Sequence, residues 1–246
     1  MPDHEIRAGA GFPPTRHSVI ARIRDADPEA RRQAYGDLVE GYWKPVYKHL
    51  RVTWRLDSEE ARDLTQGFFT DAFQKAWLER FEPDKARFRT FVRVCADRFV
   101  MNARQAAARV KRGGTVRTVS LDFEGAEREM ESVQAANASD PDAYFRDEFV
   151  RSLFETAVRA LRAECDAGTR DVAFRLFERY DLAPADATTY AQLAEEFGLT
   201  ATQVTNLLAQ ARRRFRERAL DALRALCASE EEFRREARDL FGFDLP

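Results

Sequence analysis

Cysteine and histidine are too sparse in this chain to suggest a metal centre. Cys95, Cys165 and Cys227 stand alone, as do His4, His17 and His49, and no pair has metal-ligand spacing. The cysteines fall within helical patterns and read as small core filler. Glycine and proline are modest at 11 and 9, and long β-branched alternating runs are missing, so nothing signals a sheet. No apolar run approaches the ~20 residues of a membrane span. The first residues, MPDHEIRAGAGFPP, carry acids and prolines and no apolar h-region, so neither a secretory leader nor membrane insertion is expected. A soluble, cytoplasmic protein is the expectation. A Gly-rich phosphate loop is also missing, since KRGG at 111–114 lacks the P-loop pattern.

Alanine, arginine, glutamate and leucine dominate what remains, which favours helix. At 44% hydrophobic the chain can bury a core, and the expectation is an all-α protein. The net charge of −2 conceals segregation. Lys85 to Arg112 holds nine cations against Asp97. Leu121 to Glu148 holds nine acids against Arg128 and Arg146. A basic excess that large exceeds what solubility asks for and points to phosphate contact. The acidic stretch, punctuated by Gly, Ser and Asn, reads as an extended linker that could shield a basic face.

Taken in order, residues 1–15 read as a loose tail and 16–114 as a first helical domain. Asp27-Pro28 starts one helix, which Pro45 should kink or break near Trp43. Ser58 should cap the next, whose apolar stripe includes Phe73 and Trp77. A long basic helix follows over about 86–110. Residues 115–140 read as the flexible acidic linker and 141–228 as a second helical domain, opened by Asp140-Pro141. Residues 229–246 carry a short amphipathic helix behind a capping-box-like Ser229-Glu230-Glu231-Glu232.

Within the second domain, Tyr190 to Arg218 is the most legible stretch. Tyr190, Leu193, Ala194 and Phe197 make one apolar stripe, Gly198 closes the first helix, and Thr200 caps a second. That second helix is apolar at Val204, Leu207, Leu208 and Ala211 and polar elsewhere. It runs into Arg212, Arg213, Arg214, Arg216 and Arg218. This is the pattern of a DNA-reading helix-turn-helix.

In this order and at these distances the motifs resemble a family. EEARDLTQGFFTDAFQK followed by FRTFVRVCADRFVMNARQAAARVKRGG is similar to the second conserved region of sigma-70-type RNA polymerase sigma factors. Within them the extracytoplasmic-function group is the most similar. The helix-turn-helix resembles the promoter-reading part of the fourth region, and the resemblance spans roughly Val19 to Leu226. It implies two helical domains that join core RNA polymerase and direct it to promoter DNA, the second region taking the minus-ten element and the fourth the minus-thirty-five. By the same resemblance Glu60, Asp63, Gln66, Phe68 and Phe69 lie on the polymerase-docking helix. Arg98, Asn102, Arg104, Gln105, Arg109, Lys111 and Arg112 correspond to the part that holds the opened minus-ten strand. Thr200, Thr202, Gln203, Thr205, Asn206 and Gln210 become candidates for base or backbone contact, with Arg212, Arg213 and Arg214 on phosphate.

One departure stands out. Glu60-Ala61-Arg62-Asp63 has Arg62 where the family pattern has an acid. Some related sigma factors associated with serine/threonine kinases are thought to regain that charge by phosphorylation, which makes Thr65 a candidate at about −1.5 to −2 charges. An anti-sigma protein is the other regulator the resemblance admits. The rival reading from the residues is a stand-alone helix-turn-helix regulator, which would not need the first domain. An enzyme using Glu59, Glu60 and Asp63 is disfavoured: acids suit a helix's first turn anyway, and no histidine accompanies them.

Overall fold

A computed structural model of the chain describes residues 19–24, 27–82, 85–107, 121–132, 140–165, 169–183 and 188–242. Among them every regular element is helical, and no helix is long and apolar enough to cross a membrane. Helices α1 (Val19–Ile23), α2 (Pro28–Thr53), α3 (Ser58–Lys75) and α4 (Phe88–Ala107) come first, with a 3-10 turn at Trp77–Arg80 before α4. Then follow α5 (Phe123–Ser132), α6 (Pro141–Ala163), α7 (Thr169–Phe177) with a π turn at Glu178–Leu182, α8 (Tyr190–Phe197), α9 (Ala201–Leu226) and α10 (Glu230–Phe241).

Helix α2 is the hub. Asp27 caps it by accepting from the Glu29 and Ala30 amides, with proline at the first helical position. Pro45, expected to kink or break it, does not break it: the helix runs on to Thr53. The reason is visible four residues back. Proline cannot donate to the Gly41 carbonyl, and Ser152 Oγ of α6 donates to that oxygen instead, at 3.2 Å. Gly41 also lets α9 approach, since a Cβ there would lie 2.5 Å from Leu226 Cδ1.

Pairs Glu40–Arg159, Lys44–Glu155 and Lys48–Glu148 (2.8, 2.6 and 2.7 Å) run down α2 and up α6, so the two helices are antiparallel. Lys48 and Glu148 are each only 3% exposed. Glu129 reaches Lys48 at 2.8 Å and Arg151 also meets Glu148, so the buried charges form a network rather than an isolated pair.

Two cores result. The larger joins α1 to α5 with the N-terminal half of α6, the C-terminal end of α9 and α10. Tyr42 stacks on Phe149 at 4.9 Å and meets Phe88 edge-on at 5.7 Å. The smaller gathers Leu161 and Cys165 with α7, α8 and the N-terminal half of α9.

Several expectations shift. Asp57, not Ser58, caps α3, accepting from the Glu60 amide. Phe73, assigned to the core, is 48% exposed and packs edge-on against Tyr35. Within the expected linker, residues 123–132 are helical. Phe123 and Ala126 are buried against α2, where Phe123 meets Trp43 and Tyr47. Glu127 takes two bonds from Arg51 (2.7 and 2.8 Å) and one from Tyr47 (2.6 Å), while Glu129 binds Lys44 and Lys48. Two of the acids expected to extend the linker, Glu127 and Glu129, are thus paired with α2, and Phe123 and Ala126 are the buried apolar residues of the helix.

Candidate nucleic-acid interface

The helix-turn-helix forms as its sequence prescribes. Thr189 and Gln192 make a capping box that opens α8, and Gly198, at φ +65°, ends it. A left-handed residue is needed there for the Leu199 amide to reach the Ala194 carbonyl (2.8 Å), so glycine fits. Thr200 and Gln203 make a second capping box that opens α9. Leu193, Val204, Leu208 and Ala211 face the smaller core and turn the opposite side of α9 outward.

On that outer side Thr202, Gln203, Thr205, Asn206 and Arg213 are exposed, as is Thr200 at the cap, and Gln210 is half-buried. Their polar groups are not equally free. Thr200 Oγ1 accepts from the Gln203 amide (3.2 Å), while Gln203 Oε1 accepts from the Thr200 amide (2.8 Å). Thr205 Oγ1 donates to the Ala201 carbonyl at 3.0 Å. Among the described residues Thr202 and Asn206 make no side-chain hydrogen bond, and neither does the half-buried Gln210, so Thr202 and Asn206 are the fully exposed polar groups left unengaged.

The arginines divide similarly. Arg212 lies across the Asp181 carboxylate (2.8 and 3.0 Å) and 5.4 Å over the Tyr180 ring. Its hydrogen bonds to Asp181 raise its pKa further. Arg214 sits 3.5 Å from Glu164. Arg213 is exposed, with no carboxylate partner among the described residues. Asp181 precedes Arg212 by 31 residues, and nothing in local sequence marks the pairing.

The basic helix α4 is less free than its charge suggested. Arg87 and Arg89 meet Glu236 and Asp239 of α10, and Arg93 meets Asp97 and Asp142. Asp97 is pushed up by burial, but hydrogen bonds from His49 and Trp54 outweigh this and hold its carboxyl below the usual range. Arg104 lies 5.2 Å over the Trp54 ring and donates to the Trp54 carbonyl. Arg98, Asn102 and Gln105 are exposed, and the first two edge a groove of about 340 Å³ walled by Trp77, Phe91 and Phe99. Arg109, Lys111 and Arg112 lie outside the described residues.

On α3, Glu60 and Asp63 are exposed and Gln66 is half-buried. Of the two phenylalanines expected to face a partner, Phe68 is buried in the core against Trp77 and Phe99, while Phe69, though largely buried, lines the groove between α3 and α2. The apolar surface actually offered beside α3 is a groove of about 820 Å³ against α2, with Tyr35, Val39, Trp43 and the exposed Phe73 in its walls. Thr65 is 0% exposed and donates to the Ala61 carbonyl at 2.7 Å, so its hydroxyl is closed to a kinase in this conformation. Arg62 covers the Phe123 ring at 5.4 Å, giving it a role on α5 that an acid could not fill.

No protein-family model matches the chain, and no curated protein or solved structure is similar to it.

Proposed function

We propose that the chain is a promoter-specificity subunit of the sigma-70 type, which joins core RNA polymerase and directs it to promoter DNA. One observation carries this reading: two faces suited to nucleic acid sit at opposite ends of α6. Arg93–Asp142 sets α4 beside the start of α6, where α2 also arrives through the His49–Phe145 contact and holds Asp97 of α4. Leu161 and Cys165 set the helix-turn-helix at its end. At about 1.5 Å per residue, the 23 residues of α6 span roughly 35 Å between these contacts.

The two faces differ in chemistry. Thr202, Asn206 and Arg213 suit a major groove, with neutral groups for base edges and a guanidinium for phosphate. The α4 groove, with aromatic walls and Arg98 and Asn102 at its edge, suits an unstacked base of a single strand. The α2–α3 groove beside Gln66, Glu60 and Asp63 supplies an apolar surface with polar registration for the polymerase.

A second reading has its own support. Helices α6, α9 and α10 share a core with α2 to α4, so the free chain carries its helix-turn-helix on one body, as a stand-alone regulator would. Reconstituted transcription decides between them. Full-length chain plus core polymerase on genomic DNA should add initiation at discrete sites. No added initiation, with tight duplex binding by the chain alone, would favour the regulator. Asn206→Ala should alter sequence preference by about 1–3 kcal/mol at one position. Arg213→Ala should weaken all sequences alike and lower the salt slope by about one. Equal losses on every sequence for both variants would refute the assignment of α9.

A further inference from the structure

A groove of about 620 Å³ opens between α6, the π turn after α7, the middle of α9 and the end of α10. Phe154, Leu182, Phe215, Leu220 and Leu240 stand in its walls, with Phe241 stacked on Phe154 at 5.9 Å. Of five exposed large apolar side chains among the described residues, Phe154 and Leu182 line this groove, and a third, Tyr180, lies on the same turn as Leu182. Exposed apolar side chains scattered singly need no explanation, whereas a cluster around a concavity marks a binding surface.

The charge at the rim is selective. Arg212, Arg214 and Arg218 each face a carboxylate, from Asp181 or Glu164. Arg216, also lining the groove, is exposed and has no carboxylate partner among the described residues. An uncompensated guanidinium beside an apolar floor complements an anionic head on an apolar tail. The volume lies within the ~300–1,000 Å³ of small-molecule sites. A phosphate backbone would gain nothing from the apolar walls.

The geometry points to a ligand site for an amphipathic monoanion, a straight-chain carboxylate with its tail along Phe154, Phe215 and Leu240 and its head on Arg216. The site is independent of promoter reading, and its test uses neither DNA recognition nor polymerase.

Calorimetric titration of the full chain with octanoate, decanoate and dodecanoate, below micelle-forming concentrations, should show one saturable site. Each added methylene should tighten Kd about threefold to fourfold while the groove fills. Arg216→Glu should weaken dodecanoate at least tenfold, Leu182→Asp should do likewise, and dodecyltrimethylammonium should bind more weakly than dodecanoate. Both substituted residues are exposed, so unchanged thermal unfolding should accompany the loss.

Flat titrations, affinity independent of chain length, or equal binding by Arg216→Glu would overturn the proposal. So would a dimer in sedimentation that Leu182→Asp dissociates, without fatty-acid uptake, since a second copy would then cover the groove. Loss of duplex DNA binding in Arg216→Glu beside a flat dodecanoate titration would assign the guanidinium to phosphate and end the proposal as well.

Discussion

Glu232→Gln and Glu232→Ala should both destabilise the protein, in that order of severity. Glu232 is 1% exposed. Its Oε1 accepts from the Phe88 amide at 2.6 Å, and its Oε2 from the Ala228 amide at 2.7 Å. Phe88 is the first residue of α4, whose first turn contains no acid of its own. Truncation to alanine strands the buried Phe88 amide and removes the acceptor of the half-buried Ala228 amide, at about 1–3 kcal/mol each, and takes an anion from a helix N-terminus, about 0.3–1 kcal/mol more. The expected loss is about 2–7 kcal/mol, a fall in Tm of roughly 5–28 °C for a chain of this size. Glutamine keeps the shape but has one acceptor oxygen, and its NH2 would face the second amide. It should lose about 2 kcal/mol. Urea titration gives the ordering, and hydrogen exchange at the Phe88 and Ala228 amides locates the damage. If Glu232→Gln stays within about 0.5 kcal/mol of wild type, the carboxylate is filling space rather than capping α4, and the reasoning fails.

Gly41→Ala places a Cβ 2.5 Å from Leu226 Cδ1; overpacking of about 1–3 kcal/mol should exceed the gain of about 1 kcal/mol in helix propensity. A stabilised variant in urea titration would show that α9 does not need that close approach. Thr65→Glu should cost about 3 kcal/mol or more by burying an unpaired carboxylate, while Thr65→Val should stay within about 1 kcal/mol. A stable Thr65→Glu chain would reopen this residue to modification. Helix α5 should loosen on acidification. Arg51 holds Glu127 below its ordinary value; burial pushes Glu129 up, but Lys44 and Lys48 outweigh it. The carboxylates therefore contribute fully above the ordinary value of 4.5 and progressively less as the pH falls below it. Unchanged exchange protection across α5 from pH 7 to about 3 would refute this.

What the sequence made legible was local. The Asp27-Pro28 and Asp140-Pro141 starts, the Gly198 turn and the Thr200 cap rest on chemistry within four residues, and each forms as written. Apolar spacing likewise located Leu193, Val204 and Leu208 in a core. It could not tell which arc of a wide apolar stripe would be covered. Phe68, Phe69 and Phe73 all lie on α3, yet only the first two are buried. The break expected at Pro45 does not occur, and Ser152, which supplies the donor proline lacks, lies more than 100 residues away in sequence. Charge was the least legible. Nine cations along α4 and its exit suggested one phosphate-binding face, but a carboxylate from a distant helix has no periodic signature. Arg87, Arg89 and Arg93 are met by Glu236, Asp239 and Asp142. Their removal narrows the face to Arg98, Asn102, Arg104 and Gln105 within the described part of the helix.

The same pairings give the C-terminal helix its place. A helix that begins at Phe88-Arg89 and is entered through Lys85-Ala86-Arg87 sets cations at the end where its dipole favours anions. On α10, Glu232, Glu236 and Asp239 recur at helical spacing and share one side. That side lies against the start of α4: one carboxylate caps Phe88 and the other two meet Arg87 and Arg89. Burial raises the Glu236 pKa against the pull of Arg89 and Arg87, so this carboxylate is costly to keep charged and depends on both arginines. Helix α10 thus supplies from outside the anionic N-terminus that α4 lacks. Because α10 follows α9 directly, the contact that completes α4 also ties the base of the helix-turn-helix to it. A partner that drew the α4 groove and the outer face of α9 apart would first have to separate α10 from α4, uncovering Arg87 and Arg89 as it did so.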